Sequence, residues 1–423
     1  MGKRYFAPKR KKDPSLNRII VALLVAAAAV YGIARVAGRF SLQDFLRQET
    51  ASSVANDLDQ ARALHEAGDD VTAASLLGPI LARVDDPAIT PYALLLQAAI
   101  DTAAGDPNQA LERLQRAYET YPDSPIHPQV AARYARLLED RGENDAAVAI
   151  YEALIENAPP EMRAAAHVGV GRKAEREQDT LGAREWYRKG LEEAAWGSED
   201  WNEAADALGR VNVSLIFAPM ETPESKHYAV EEGDNLTNIG IKLNTTQGLL
   251  ERANGIADPS RLSLGQRLKY TPKDFRIVIE RATCRLFLVD KEGLFKRYYV
   301  GLGMPGYETM LGKYTIGNKQ KDPTWFKPGS EAIPPGDPRN ELGTRWMPLV
   351  PAAEGLPTDL GIHGTIAPET IGQYKSHGCP RMAREDVEEL YDLVVRSTPV
   401  DIVQTWQPAE HSPPKTTQQA AAQ

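Results

Sequence analysis

The residues arranged most like a reactive group lie in the run Ser376-His377-Gly378-Cys379-Pro380-Arg381. A free cysteine titrates near about 8.5 and is mostly thiol at neutral pH, so a nucleophilic cysteine needs a base or a cation beside it. Two of the seven histidines are suitably spaced. His377 precedes Cys379 by two positions and shares its side of an extended strand. His363, in Gly361-Ile362-His363-Gly364-Thr365, is 16 residues earlier, enough for a loop to leave a sheet and return beside it. Pro380 biases Cys379 towards extended geometry and has no N–H of its own. The N–H groups of Gly378 and Cys379 are therefore the candidate donors to an oxyanion. Glycine at 378 would let a substrate approach the backbone closely. The other cysteine, Cys284, stands in a run of apolar and strand-forming residues and reads as a buried structural thiol. Two cysteines make no disulfide framework. No cluster of Cys, His and carboxylates has metal-ligand spacing and no Gly-rich phosphate loop is present, so no cofactor or metal is expected.

The elements that must position these residues read as strands. Arg276 to Glu280, Leu286 to Val289 and Tyr298 to Gly301 are short β-branched or aromatic runs, and Asp290-Lys291-Glu292-Gly293 is a turn. Gly, Pro and Asn dominate from Gly301 to Gly343, which predicts long loops on a β scaffold, a common place for an active site. Arg384 to Val395 reads as a short amphipathic helix. Residues 275–404 resemble the L,D-transpeptidase (YkuD-type) catalytic domain. The resemblance rests on Gly361-Ile362-His363-Gly364-Thr365, the 16-residue interval, and Ser376-His377-Gly378-Cys379 followed by Arg381-Met382. Leu311-Gly312-Lys313-Tyr314-Thr315-Ile316, Pro323-Thr324-Trp325 with Pro328, and Asn340-Glu341-Leu342-Gly343 support it.

The resemblance implies a mostly-β, sandwich-like domain acting on bacterial cell-wall peptide. Cys379 would attack the peptide bond after the third residue of a tetrapeptide stem, D-alanine would leave, and an amine of a second stem would resolve the thioacyl enzyme into a crosslink between third residues. His363 would be the base, oriented by the carbonyl of Gly364 in place of a triad carboxylate. His377 would help set substrate or oxyanion geometry. Arg381 would bind a substrate carboxylate through its fork, and Ser376, Trp325 and Tyr374 would complete the substrate site. Two departures from the family pattern are Met310, in place of the proline usual before Leu-Gly, and Pro380, in place of a more usual apolar residue. Resolution by water would instead make an L,D-carboxypeptidase, and the acyl acceptor could be an envelope protein. A non-catalytic glycan-binding scaffold is disfavoured by the intact His363, Gly364, His377 and Cys379 set.

Upstream, residues 227–271 resemble a LysM module, a small βααβ unit that binds N-acetylglucosamine-containing glycans. Tyr228, Val230, Gly233-Asp234, Leu236, Ile239, Asn254, Leu264 and Gly265-Gln266-Arg267-Leu268 carry that likeness. Asp234 is positioned to cap a helix through Leu236, Ile239 and Ile241, and a second helix carrying Leu249 and Leu250 should end near Asn254-Gly255. The resemblance places glycan contacts at Gly233, Asp234, Asn235 and Leu236, and at Asp258 and Pro259.

Residues 56–196 are rich in Ala, Leu, Glu and Arg, a helix-forming mix. Gly68-Asp69, Gly105-Asp106, Gly142-Glu143 and Gln178-Asp179 recur 37, 37 and 36 residues apart, each followed five positions on by Ala73, Ala110, Ala147 or Ala183. Proline ends two of the second helices, at Pro122 and Pro159-Pro160. The spacing resembles tetratricopeptide repeats, whose usual period is about 34. Such an α-helical solenoid offers a concave face for a protein partner or serves as a spacer. Residues 197–226 read as a linker, and residues 405–423 as a disordered tail.

The fold class is therefore multidomain α + β. Ahead of the repeats, residues 1–18 form a basic cytoplasmic leader, and Ile19 to Ala34 is free of charge. With Arg35 snorkelling to the headgroups, residues 19–38 reach the ~20 needed to span a bilayer. They read as a single-pass signal-anchor in the inner membrane, with the N-terminus inside and the catalytic domain in the periplasm or extracytoplasmic space. A cleaved signal peptide at Ala27-Ala28-Ala29 is the rival. The net charge of -9 speaks against a general nucleic-acid binder. The expected partners are peptidoglycan stem peptides and glycan strands, with the membrane holding the N-terminal helix.

Overall fold

The computed structural model describes residues 42–326 and 331–407. The expected basic leader, the expected membrane span and most of the expected disordered tail lie outside them. Among the described residues, no helix is long and apolar enough to cross a membrane. The chain divides between Leu137 and Leu138 into two compact units.

The first unit holds helices α1 (Leu42–Glu66), α2 (Asp70–Arg83), α3 (Thr90–Ala103), α4 (Pro107–Thr120) and most of α5 (His127–Asp140). The second opens with α6 (Asn144–Asn157), α7 (Ala164–Arg176) and α8 (Thr180–Glu193). The repeat signature folds as its spacing predicts. Gly68, Gly105 and Gly142 turn through φ of +82°, +81° and +81°, and Gln178 holds the equivalent position at +63°. A β-carbon there costs about 1 kcal/mol or more, which is why three of the four are glycine. Asp69, Asp106 and Asp179 then cap the second helix of each pair through the N–H groups of Thr72, Gln109 and Gly182. Glu143, one methylene longer, makes no such bond. Ala73, Ala110, Ala147 and Ala183 are fully buried, as expected for small residues that let paired helices approach.

The expected linker at 197–226 is mostly helix instead. Helix α9 (Glu199–Phe217) is capped by Ser198 on the Trp201 N–H and carries Glu199 and Asp200 in its first turn, where the helix dipole favours negative charge. Its faces are buried in three directions. Leu208 and Val211 pack with Val168, Ala183 and Tyr187 of the helical array. Trp201 and Ala205 pack with Val278, Phe287 and Trp406. Val213, Ile216 and Phe217 enter the core of the β domain. Pro219 and Pro223 delimit only the short remainder of the linker.

The small module pairs β1 (Lys226–Ala229) antiparallel to β2 (Arg267–Tyr270) around α10 (Leu236–Leu243) and α11 (Gln247–Asn254). Val230, Leu236, Ile239, Leu250 and Leu268 form its core. The helix cap is Asn235, in a reciprocal capping box with Asn238, and not Asp234. The cap must directly precede the first helical residue. Asp234, one position too early, accepts from the Glu231 N–H and the Tyr228 hydroxyl and pairs with Lys242 at 2.9 Å. Ile241 falls off the buried stripe and is exposed. Helix α11 ends at Gly255, with φ +62°, as expected. Buried Lys269 donates to the carbonyls of Leu215 and Ala218 at the end of α9, and Arg252 lies 3.4 Å over the Phe217 ring.

The β domain comprises β3 (Arg276–Glu280), β4 (Arg285–Asp290), β5 (Gly293–Tyr299), β6 (Leu302–Gly303), β7 (Gly312–Ile316), β8 (Gln320–Lys321), β9 (Arg345–Pro351), β10 (Gly361–His363), β11 (Tyr374–Ser376) and β12 (Pro399–Val403), with helix α12 (Arg384–Leu393) before the last strand. The main sheet runs β10-β9-β7-β12-β3-β4-β5, with β8 on β9. The strand expected at Tyr298 to Gly301 begins earlier, because the Asp290–Gly293 turn leads straight into β5. Arg381 bridges to His363 at one end of the sheet order and to Gly301, two residues beyond β5, at the other. That backbone bridge curls the sheet around a core of Ile277, Leu286, Met347, Ile362 and Met382, covered by Val387 and Leu390 of α12. The domain reaches Trp406, buried beside Trp196 and Phe287.

Candidate active site

The segment after β11 carries the reactive residues, and its backbone is fixed from both sides. β11 lies parallel to β6, and the Met304 N–H donates to the Ser376 carbonyl. Beyond the cysteine, the His363 N–H donates to the Pro380 carbonyl and the Met382 N–H to the His363 carbonyl. Strand alternation then buries Pro380 and Met382 and leaves Cys379 and Arg381 partly exposed on one face.

Cys379 Sγ lies 3.9 Å from the Asp359 carbonyl oxygen. Burial pushes the thiol upward. The Gly361 N–H opposes this by hydrogen-bonding the sulfur, Asp359 adds to it, and the Arg381 charge pulls back down.

His363 is buried on β10, with its ring 5.7 Å from that of Trp346. Its Nδ1 is 2.7 Å from the Gly364 carbonyl, so Nδ1 carries the hydrogen and Nε2 is left with its lone pair. The Gly364 and Glu341 carbonyls favour the protonated ring, against a larger opposing effect of burial. Burial, aided by the Arg381 charge, brings the imidazole down to about 4, so it is neutral at physiological pH. Among the described residues no hydrogen bond joins His363 to Cys379. The thiol sits by the Gly361 end of β10, and proton transfer requires it to turn from Asp359 towards the imidazole. Such bonds are often long in unliganded sites and tighten with substrate.

Gly378 has φ +119°, a conformation that favours glycine. Its carbonyl accepts from Thr309 Oγ1 at 2.7 Å and its N–H donates to Ser376 Oγ at 3.2 Å. The Gly378 amide expected to serve an oxyanion is thus already engaged. The Cys379 N–H has no partner among the described residues, which leaves it as the readier donor. Ser376, expected at the substrate surface, is buried and braces this loop. His377 is exposed and meets Tyr307 edge-on at 5.2 Å.

The remaining substrate candidates divide. The Tyr374 hydroxyl is turned onto the Arg281 carbonyl at 2.6 Å. Trp325 exchanges backbone hydrogen bonds with Ile333, and the Asn340 amide donates to the carbonyls of Pro323, Ile333 and Pro334. Arg381 is paired with Glu341 at 3.0 Å. In the βααβ module, Gly233, Asn235, Asp258 and Pro259 lie on the surface, whereas the Leu236 side chain is core and the Asp234 carboxylate is enclosed against Lys242.

Four residues of the site were not singled out by sequence reasoning: Thr309, Glu341, Asp359 and Gly361. Glu341 and Gly361 stand inside quoted motifs, but nothing in the chain's order shows what they touch. Among the described residues no group of three or more His, Cys, Asp or Glu is placed to hold a metal ion.

Comparison with known proteins gives three family matches. The YkuD L,D-transpeptidase catalytic domain matches residues 274–402, the LysM domain residues 228–271, and a tetratricopeptide repeat family residues 101–167. The chain is 30% identical over 183 residues to a putative L,D-transpeptidase YkuD of Bacillus subtilis, covering 41% of this chain and 97% of that protein. It is 29% identical over 181 residues to the putative L,D-transpeptidase YkuD of Bacillus licheniformis, with coverage of 41% and 97%. Among solved structures, the catalytic domain of an E. faecium L,D-transpeptidase is 23% identical, covering 31% of this chain and 97% of that one, at a TM-score of 0.25.

Proposed function

Since the chain belongs to the L,D-transpeptidase family, we propose that it crosslinks peptidoglycan stems through a thioester on Cys379. The observation that carries this reading is the partly exposed Cys379 thiol on a segment bridged to β10, whose buried, neutral His363 has its tautomer set by the Gly364 carbonyl. In the first step His363 takes the thiol proton and sulfur attacks the carbonyl of the third stem residue. The peptide bond breaks, D-alanine leaves with that proton, and the acyl group remains on sulfur. In the second step the amine of another stem's third residue attacks the thioester, loses its proton to His363, and restores the thiolate. The Cys379 N–H supports the oxyanion in both steps.

The βααβ module would hold glycan strands through Gly233, Asn235, Asp258 and Pro259, with backbone contributions from Asp234 and Leu236. Residues 19–38 would anchor the chain in the inner membrane with the catalytic domain in the periplasm, and the helical array would receive a protein partner.

The test is incubation of the full chain with disaccharide-tetrapeptide followed by mass analysis. Dimers that have lost one D-alanine are expected. Tripeptide alone would assign hydrolysis, as in an L,D-carboxypeptidase. Crosslinking that persists in Cys379→Ala would refute the assignment.

A further inference from the structure

Arg381 lies two residues beyond Cys379 on the same exposed face, and in the free protein its charge is already answered. The answer is lopsided. The Arg381 side chain is 13% exposed and that of Glu341 is 34% exposed. The pair uses Arg381 Nη2 alone, while the buried Nε has no acceptor. A carboxylate that took both nitrogens would make the parallel, bidentate contact for which the guanidinium is shaped.

The Glu341 backbone, by contrast, is fixed independently of its side chain. Asn340 anchors the turn, and Gly343, at φ +66°, lies so close to Gly364 that an added β-carbon would sit 3.1 Å from its Cα. The Glu341 carboxylate has Arg381 as its sole partner among the described residues, so it can swing into water without disturbing the loop. Arg381 has no such freedom. An enclosed guanidinium left unpaired is strongly unfavourable, so departure of Glu341 calls for another anion in its place.

We propose that Glu341 is a resident counter-ion that yields Arg381 to the terminal carboxylate of an incoming stem, so that the exchange selects stems ending in a free D-alanine. This rests on the transpeptidase reading above and names the residue that sets its substrate terminus. The exchanged carboxylate belongs to the leaving group, so it departs with D-alanine and Glu341 returns to Arg381 in the acyl-enzyme.

Steady-state kinetics of the full chain on disaccharide-tetrapeptide and on its C-terminal amide provide the test. Glu341→Gln should lower KM for the acid about fivefold, the size of a partly exposed ion pair, and shift the KM for the amide by much less. Glu341→Asp should restore the wild-type KM. Equal shifts for acid and amide, or a higher KM with a lower melting temperature, would make Glu341 a structural brace and overturn the proposal. A readout that needs no variant of Glu341 uses full-chain Cys379→Ala, which retains bound stem. Carbodiimide labelling of Glu341 should rise when the acid is added and stay constant with the amide. Unchanged labelling with the acid would also overturn it. Because labelling reports binding alone, it separates failure of the exchange from failure of the crosslinking assignment.

Discussion

The two cysteines occupy neighbouring parts of one domain and face opposite outcomes. Cys284 closes the β3–β4 turn, 2% exposed, in the left-handed region at φ +52°. Its carbonyl accepts from the Val300 N–H, and burial pushes its thiol upward against a weaker contribution from the Tyr374 hydroxyl. Burial pushes Cys379 the same way, so desolvation does not tell a structural thiol from a reactive one. Direction does. Around Cys379 an amide N–H bonds the sulfur and the Arg381 charge pulls its pKa down, a free N–H stands beside it, and a neutral imidazole lies on the adjoining strand. Around Cys284 there is core on nearly every side.

The largest test of this contrast is alanine at each site. Cys379→Ala should reduce crosslinking by at least about 10⁴-fold, as removing an enzyme's nucleophile does. Cys284→Ala should leave turnover within about twofold. Next, His363→Gln should lower turnover about 10³-fold with binding retained, measured as kcat against KM.

The pH response of stability follows from the same imidazole. Folding lowers its pKa from 6.5 to about 4. Between these values the unfolded chain holds a proton that the folded chain lacks. This contribution is therefore complete above pH 6.5, is lost progressively down to pH 4, and is constant below. The shift corresponds to at most about 3 kcal/mol. Denaturant midpoints across that range should fall more steeply in the wild type than in His363→Gln.

Thr309→Val removes the donor to the Gly378 carbonyl and should lower turnover about tenfold, since a buried carbonyl left unpaired costs about 1–3 kcal/mol. Equal activity would show that the Gly378 turn holds without it. The smallest expected effect is the stability loss in Cys284→Ala, about 1 kcal/mol by urea unfolding, for a small buried group removed from the core.

What was legible in the chain is what depends on near neighbours. The glycine turns and the buried alanines follow from residues at most five positions apart, and both appear as read; the aspartates that follow the turns carried an equally local cap signal that the reading did not use. The cap at Asn235 was missed by one residue, because Asp234 and Asn235 are both good caps and only the start of the helix decides between them. The engaged Gly378 amide and the Arg381–Glu341 pair were not legible. The first depends on the rotamer of a serine two residues away, the second on a partner 40 residues away. Helix α9 had a local signal in Ser198, Glu199, Asp200 and the apolar residues from Val211 to Phe217. The prolines at 219 and 223 outweighed it, and its buried faces are defined by strands that come much later in the chain.

Helix α9 also fixes where the enzyme can be cut. The face of the sheet carrying Val278, Phe287 and Val289, together with Trp406, is roofed by Trp201, Ala205 and Trp196, residues that precede the first catalytic strand by more than 70 positions. A fragment starting at residue 218 would present those side chains to water as a contiguous apolar patch, the kind that drives aggregation. The smallest well-behaved catalytic fragment therefore begins before Trp196, inside what the chain's repeats mark as a different domain.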